Sequence, residues 1–387
     1  MFKKVLSIAL SLLLVMTLFA GCGKKESSAD VYAMRDKFTA QDVADEMGIG
    51  INLGNTFEAY WNDDANMCGF AQVVGDGKPT DYEGCWGAIT TTREMIDGMR
   101  DAGFKTVRVP VFWGNGMIDD GTFTVNNDVL KRVEEVVNWV LEDGMYCVVN
   151  MHHYDERLIM FLDREEAVNA ANTVWKQVAE HFKDYGDHLV FEGYNEYLGG
   201  IKEGTNQDDN YKFEYCNEMN QTFVDAVRST GGNNAERVLI ASGYNTNIDR
   251  TTSFRFKMPT DTVENKLMVS VHYIDNNMYW SNQIGSEYWH DYAKSQCELL
   301  KTAFTDKGIP VFVGETTASY EGRMVNDSKY GSNQDCIEEL IRMATKDYGF
   351  VAVFWDVHHS DGSAFYNRVE LKITDAQNAK TVRKYGK

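Results

Sequence analysis

Eight short apolar runs, separated by amphipathic stretches, set the pattern of this chain. They are Ile49 to Leu53, Lys105 to Val111, Met145 to Met151, Leu189 to Asn195, Arg237 to Ser242, Leu267 to Tyr273, Pro310 to Glu315 and Phe350 to Asp356. Most are apolar throughout rather than alternating, as expected of strands buried on both faces of a parallel sheet. Between them, helical periodicity covers Thr91 to Asp101, Asp128 to Glu142, Arg164 to Asp184, Tyr211 to Ser229, Glu287 to Asp306 and Asn333 to Lys346. Several of these stretches are entered through Thr, Asp or Asn caps. The fifth crossover, Asn245 to Glu264, reads poorly as helix. Eight repeated βα units close into a barrel, so the pattern predicts an α/β fold with a single (β/α)8 TIM barrel over residues 31–387. A doubly wound sheet is the competing arrangement, but no glycine-rich phosphate fingerprint opens the first helix.

Two of the runs deliver a glutamate at their C-terminal ends. The fourth delivers Asn195 and Glu196, and the seventh delivers Glu315. In a parallel barrel the C-terminal strand ends carry the active site, and strands four and seven face each other across the axis. Two carboxyl groups so placed suit glycosidic hydrolysis, in which one protonates the leaving oxygen and the other attacks or stabilises the anomeric centre. The bland alternative is a pair of strand-end acids that cap helices or pair with lysines. Strict alternation would also send Asn195 and Glu196 to opposite faces, so both reach one cleft only if the strand ends or bulges there.

Composition narrows the partners. The 387 residues carry 38 basic and 58 acidic side chains, a formal charge of -20, which disfavours nucleic acid and anionic membrane surfaces. Twenty Tyr, 20 Phe and 8 Trp supply faces that stack on sugar rings, although most belong to a core. The long aromatic-rich loop after strand one, Thr56 to Ala88, holds Phe57, Tyr60, Trp61, Phe70, Tyr82 and Trp86; a second, Asp275 to Gly285, holds Tyr279 and Trp280. Each reads either as a wall of a sugar cleft or as a self-packed loop, the first held by a Cys68–Cys85 pair. The other cysteines read as small buried residues, and no CxxC spacing supports zinc. His152 and His153 are adjacent on an extended strand and point apart, so no metal is expected.

The N-terminus is an address. Lys3 and Lys4 precede an apolar run from Val5 to Phe19, and Ala20-Gly21-Cys22 follows, giving a signal peptide over residues 1–21. Cys22 resembles the lipidated cysteine of a bacterial lipobox, with Phe19 where Leu is usual and residues 22–30 as a polar tether. The expectation is an exported cell-surface lipoprotein, or otherwise a secreted protein, touching membrane only through that anchor.

The segments Gly50-Ile51-Asn52-Leu53-Gly54-Asn55-Thr56, Val107-Arg108-Val109-Pro110-Val111, Asn150-Met151-His152-His153, Tyr194-Asn195-Glu196, Val269-Ser270-Val271-His272, Val313-Gly314-Glu315 and Phe354-Trp355-Asp356 occur in family order. In them the chain resembles glycoside hydrolase family 5, of the cellulase type. The resemblance implies retaining, endo-acting hydrolysis of β-1,4-linked glucan by a monomer without cofactor or metal, with xyloglucan, mixed-linkage glucan or mannan as alternatives. A non-catalytic sugar-binding lipoprotein is the other reading. Carried over, Glu196 is the acid/base, Glu315 the nucleophile, Arg108 the arginine beside the nucleophile, and Asn195 the residue that bonds the substrate hydroxyl. His152 lines the cleavage subsite, His272 positions the acid/base pair, and Trp355 is the sugar platform. The chain departs from the family in having Ile274 where a tyrosine commonly bonds the nucleophile. Tyr273 is the candidate replacement, although alternation turns it away. Ile51 also stands where Trp is frequent.

Overall fold

The computed structural model describes residues 29–61, 73–196, 208–358 and 364–386. Its eight parallel strands are β1 (Ile49–Asn52), β2 (Thr106–Val109), β3 (Tyr146–Asn150), β4 (Leu189–Glu192), β5 (Leu239–Ser242), β6 (Leu267–His272), β7 (Val311–Thr316) and β8 (Val351–Phe354), closed in that order into a barrel. All eight apolar runs are therefore strands, and the doubly wound alternative falls. Several strands stop a residue or more short of the runs that predict them; in β4 the residues left over at the C-terminal end, Gly193 to Asn195, lead into the site.

Helices Arg93–Ala102, Asn127–Glu142, Arg164–His181, Asp209–Arg228, Glu287–Ala303 and Asn333–Arg342 wrap the barrel. Local chemistry explains them. In Asn127–Glu142 the Asn126 side chain accepts from the amides of Asp128 and Val129, and Val129, Val133, Val136, Val137 and Val140 bury one face. The fifth crossover is only a 3-10 turn at Tyr244–Thr246 and one helical turn at Ile248–Thr251, as its sequence implies.

The barrel interior changes character along its axis. Near the strand starts the inward positions are apolar (Val148, Val190, Ile240, Met268, Phe312, Val351 and Val353), and Val43, Ala44 and Met47 of helix Ala40–Met47 plug that end. Further along, the inward residues become Asn52, Arg108, Asn150, Glu192 and Ser270, all buried. Outward residues such as Ile51, Cys147 and Phe191 join the layer beneath the helices. Ile51 thus lies in the outer core, not at the cleft. Residues 29–40 lace the closed end: the Gly186 amide donates to Val31 O, Asp187 to Ala33 O and Ala40 to Asn265 O. The described chain therefore enters on the face opposite the strand ends that carry Glu196 and Glu315. Cys22 and Cys68 lie outside the described residues, while Cys147, Cys216, Cys297 and Cys336 are buried thiols.

Candidate active site

Breaks in strand geometry aim the site residues. β4 ends at Glu192; the Gly193 amide still donates to Ile240 O of β5, but the polar groups beyond it are taken by side chains. Trp175 Nε1 donates to Gly193 O, the Tyr194 amide donates to Ser242 Oγ, Ser242 Oγ returns to Tyr194 O, and the Asn195 amide donates to Asp155 Oδ2. Alternation no longer binds this turn, and Asn195 and Glu196 both line the cleft. In β7, Val271 pairs with Val313 but His272 with Glu315, so Gly314 is an extra residue, a bulge that turns Glu315 inward. A side chain at Gly314 would crowd Phe312, Glu192 and His272, with a Cβ 3.1–3.2 Å from each.

The two glutamates meet at His272. Its Nδ1 lies 2.9 Å from Glu196 Oε1 and 3.6 Å from Glu315 Oε2. One oxygen of each glutamate and this nitrogen all fall within 4.8 Å of one another. Such closeness matches the roughly 5–5.5 Å carboxyl spacing of retaining enzymes rather than the 6.5–9.5 Å of inverting ones. The same spacing could hold an ion, but the Arg108 guanidinium, 3.2 Å from Glu315 Oε1, opposes a second cation there.

Arg108 is the hub. Its Nε donates to Glu192 Oε2 at 2.6 Å, one terminal nitrogen to Asn52 Oδ1 at 2.9 Å and to Glu315, and the other to Asn195 Oδ1 at 2.9 Å. Burial opposes its charge, but Glu192 and Glu315 outweigh that and raise its pKa. Glu192 is held in turn by Ser270 Oγ and Asn150 Nδ2, and Asn52 Nδ2 donates to Gly314 O and Phe354 O. One buried frame therefore carries both the nucleophile and Asn195. Sequence reading missed Glu192, Asn52, Asn150 and Ser270 as site residues, although each is a polar residue inside an apolar run.

Tyr273 resolves the departure at Ile274. Its hydroxyl donates to Glu315 Oε2 at 2.7 Å. Alternation had turned it away, but its φ of 46° lies in the left-handed region and swings the ring back, while Ile274 is buried. The Glu315 oxygens thus receive Arg108 on one side and Tyr273 on the other.

Electrostatics at Glu196 runs against the simplest picture of an acid. A proton donor should be held protonated, and burial does push the Glu196 carboxyl up. The hydrogen bond from His272, with the positive charges of His272, Arg108 and His153, outweighs burial and holds it below the ordinary carboxylate range. His152 goes the other way: burial first, then the charges of His153, Arg108 and His272, hold its imidazole well below the usual histidine value, so it faces the cleft neutral. Its ring lies 5.8 Å from that of Trp355 at 24°, and both line a cavity of about 980 Å³.

The two aromatic loops divide. Tyr279 and the 65 % exposed Trp280 line the cavity, so the loop after β6 is a cleft wall. The described part of the loop after β1 packs on itself and on its neighbours, Trp86 Nε1 donating to Tyr60 O, Tyr60 stacking on Phe112 at 4.2 Å and the Trp86 ring lying 5.5 Å from that of His153, so it backs the cavity-lining His153 and is not itself in the wall.

Comparison with known proteins agrees with this geometry. Residues 69–361 match the family model "Cellulase (glycosyl hydrolase family 5)". Endoglucanase A of Paenibacillus barcinonensis is 32 % identical, the alignment covering 96 % of each chain. A broad-specificity endoglucanase from an uncultured bovine rumen ciliate superposes with a TM-score of 0.76 at 32 % identity, over 90 % of this chain and 98 % of that one. Another, from Ruminococcus champanellensis with bound cellotriose, gives 0.76 at 31 % identity over 90 % and 99 %. The chain belongs to glycosyl hydrolase family 5, the cellulases, and is a glycoside hydrolase of that family.

Proposed function

We propose that the protein is a retaining endo-β-1,4-glucanase, with Glu315 as nucleophile and Glu196 as acid and then base. The observation that carries this reading is the meeting of both carboxylates at His272 Nδ1, on the floor of an open cleft. Glu315 attacks the anomeric carbon while Glu196 gives its proton to the departing oxygen. Water, deprotonated by Glu196, then cleaves the glycosyl–Glu315 ester and regenerates both groups. Since His272 and Glu196 share a bond of 2.9 Å, the pair can keep a proton beside the leaving oxygen. A polysaccharide lying over Glu196 strips water from a side chain now 41 % exposed and strengthens the push of burial toward the acid form. The non-catalytic reading rested on Ile274, and Tyr273 removes that ground.

The broad-specificity relatives and the open cleft of about 980 Å³ support a range of soluble β-glucans, linear and branched. Reducing-sugar release from carboxymethylcellulose, mixed-linkage glucan, xyloglucan and mannan, with product sizes over time, tests the reading. Internal cuts in at least one glucan are expected, and binding without release from any of them would sink it. For location, the reading is an anchor at Cys22, supported by the lacing of residues 29–40 over the closed end, which turns the cleft away from the membrane. Labelled palmitate should enter the wild-type protein and not Cys22→Ala.

Two further results follow from the site. Tyr273→Phe removes one neutral-to-charged hydrogen bond from Glu315 and should lower kcat about 10- to 150-fold, as the roughly 1.5–3 kcal/mol of such a bond implies, with KM little changed. The second concerns pH. The alkaline limb of kcat/KM reports loss of the free enzyme's acid, and the His272 bond and charge lower the Glu196 pKa. In His272→Ala burial acts with less opposition, so the Glu196 pKa rises and the limb moves to higher pH even as kcat falls. A limb that stays put or moves down would show that His272 does not set the acid.

A further inference from the structure

Asp155 lies behind the catalytic turn without touching the cleft. It is fully buried near the start of helix Tyr154–Phe161, directly after the His152–His153 pair. Its Oδ2 takes the Asn195 amide at 2.9 Å, and its Oδ1 is buried without a hydrogen-bond partner. The β4 ladder has already ended at Glu192, so this bond is the last side-chain hold on the backbone before Glu196. We propose that Asp155 is a positioning residue for the reaction, its carboxyl fixing the Asn195 amide and thereby the aim of both Asn195 and Glu196.

Its surroundings indicate which form does this. Glu156 and His153 flank it on its own segment, and from the β4 end it faces Tyr194, whose hydroxyl donates to Met219 O. No cation pairs with it within ion-pair distance among the described residues. Burial first, then the charge of Glu156, push its pKa up to about 8, against the weaker pull of the Asn195 amide, His153 and the Glu156 amide. At the pH of a typical assay Asp155 is thus a neutral carboxyl that offers a carbonyl oxygen to Asn195. Asparagine presents the same oxygen at the same place and no charge. Alanine presents nothing.

The inference rests on the two-glutamate reading, and its test separates the two. At pH 6, Asp155→Asn should keep kcat within about threefold of wild type. Asp155→Ala should lose about 10- to 100-fold in kcat with KM within twofold, because a misplacement of about 1 Å costs on the order of a hundredfold. Hydrogen exchange in peptides spanning Leu189–Glu196 needs no turnover. It should stay at the wild-type rate in Asp155→Asn and speed at least tenfold in Asp155→Ala. Equal kcat and exchange in the alanine variant would overturn the proposal, as would an asparagine variant as impaired as the alanine one. If alanine prevents folding, the asparagine variant decides alone, since a loss of kcat beyond tenfold there means that the neutral oxygen is not what holds the turn. A wild-type enzyme without turnover sinks the two-glutamate reading, while the exchange result still decides whether Asp155 holds the Asn195 amide.

Discussion

Glu315→Gln is expected to reduce kcat on β-glucan by roughly 10⁴- to 10⁶-fold, the scale on which an enzyme loses its nucleophile, while cellotriose still binds. The amide is nearly isosteric, and its single oxygen can still accept from Arg108, now 3.2 Å from Oε1, while its NH2 takes the place of Oε2 and donates to the Tyr273 oxygen, now 2.7 Å away. What disappears is the charge that attacks carbon. Glu196→Gln should behave differently. Its loss is about 10²- to 10⁴-fold, the usual worth of general acid–base catalysis, and it depends on the leaving group. A sugar hydroxyl needs the proton, whereas an activated aryl group such as dinitrophenolate departs without it. The first step on an aryl cellobioside should therefore survive in Glu196→Gln and fail in Glu315→Gln, read as a burst of phenolate before slow turnover. A burst in Glu315→Gln, or its absence in Glu196→Gln, would exchange or cancel the two roles.

Both glutamates were legible because an acid that closes an apolar strand is costly and stands out against its neighbours. The frame behind them was not. Glu192 lies inside the run Leu189-Val190-Phe191-Glu192, and Asn52 and Asn150 sit likewise within or at the end of theirs. A single polar letter there marks which face points inward, but sequence does not say what waits on that face. Tyr273 was legible as the candidate replacement but its direction was not, since alternation assumes extended backbone and its φ of 46° leaves that region. The bulge at Gly314 has the same character: an isolated glycine in a strand hints at one, while the register shift appears only when β6 and β8 are laid beside β7. The aromatic loops were left open, and their packing partners decided between them. Tyr60 finds Phe112 and the Arg157 guanidinium, 4.3 Å from its ring centre, whereas Trp280 stands out over the cleft.

The buried frame makes the largest expected effect on stability. Arg108→Met would leave Glu192 in the barrel interior with only the neutral donors Ser270 and Asn150, and would strip a donor from Asn52, Asn195 and Glu315. Removing one partner of a buried ion pair costs about 3–5 kcal/mol, because the remaining charge has no compensation. Replacing both partners should not. Arg108→Met combined with Glu192→Gln removes the pair together, and urea unfolding should show most of the lost stability restored. Turnover should not return with it. Asn195 and Glu315 still lack the guanidinium that holds them, so kcat should remain at least about a hundredfold down. If the double variant is no more stable than Arg108→Met, the Glu192–Arg108 bond is not what keeps the polar layer folded. If it regains full activity, the guanidinium serves the barrel and not the nucleophile.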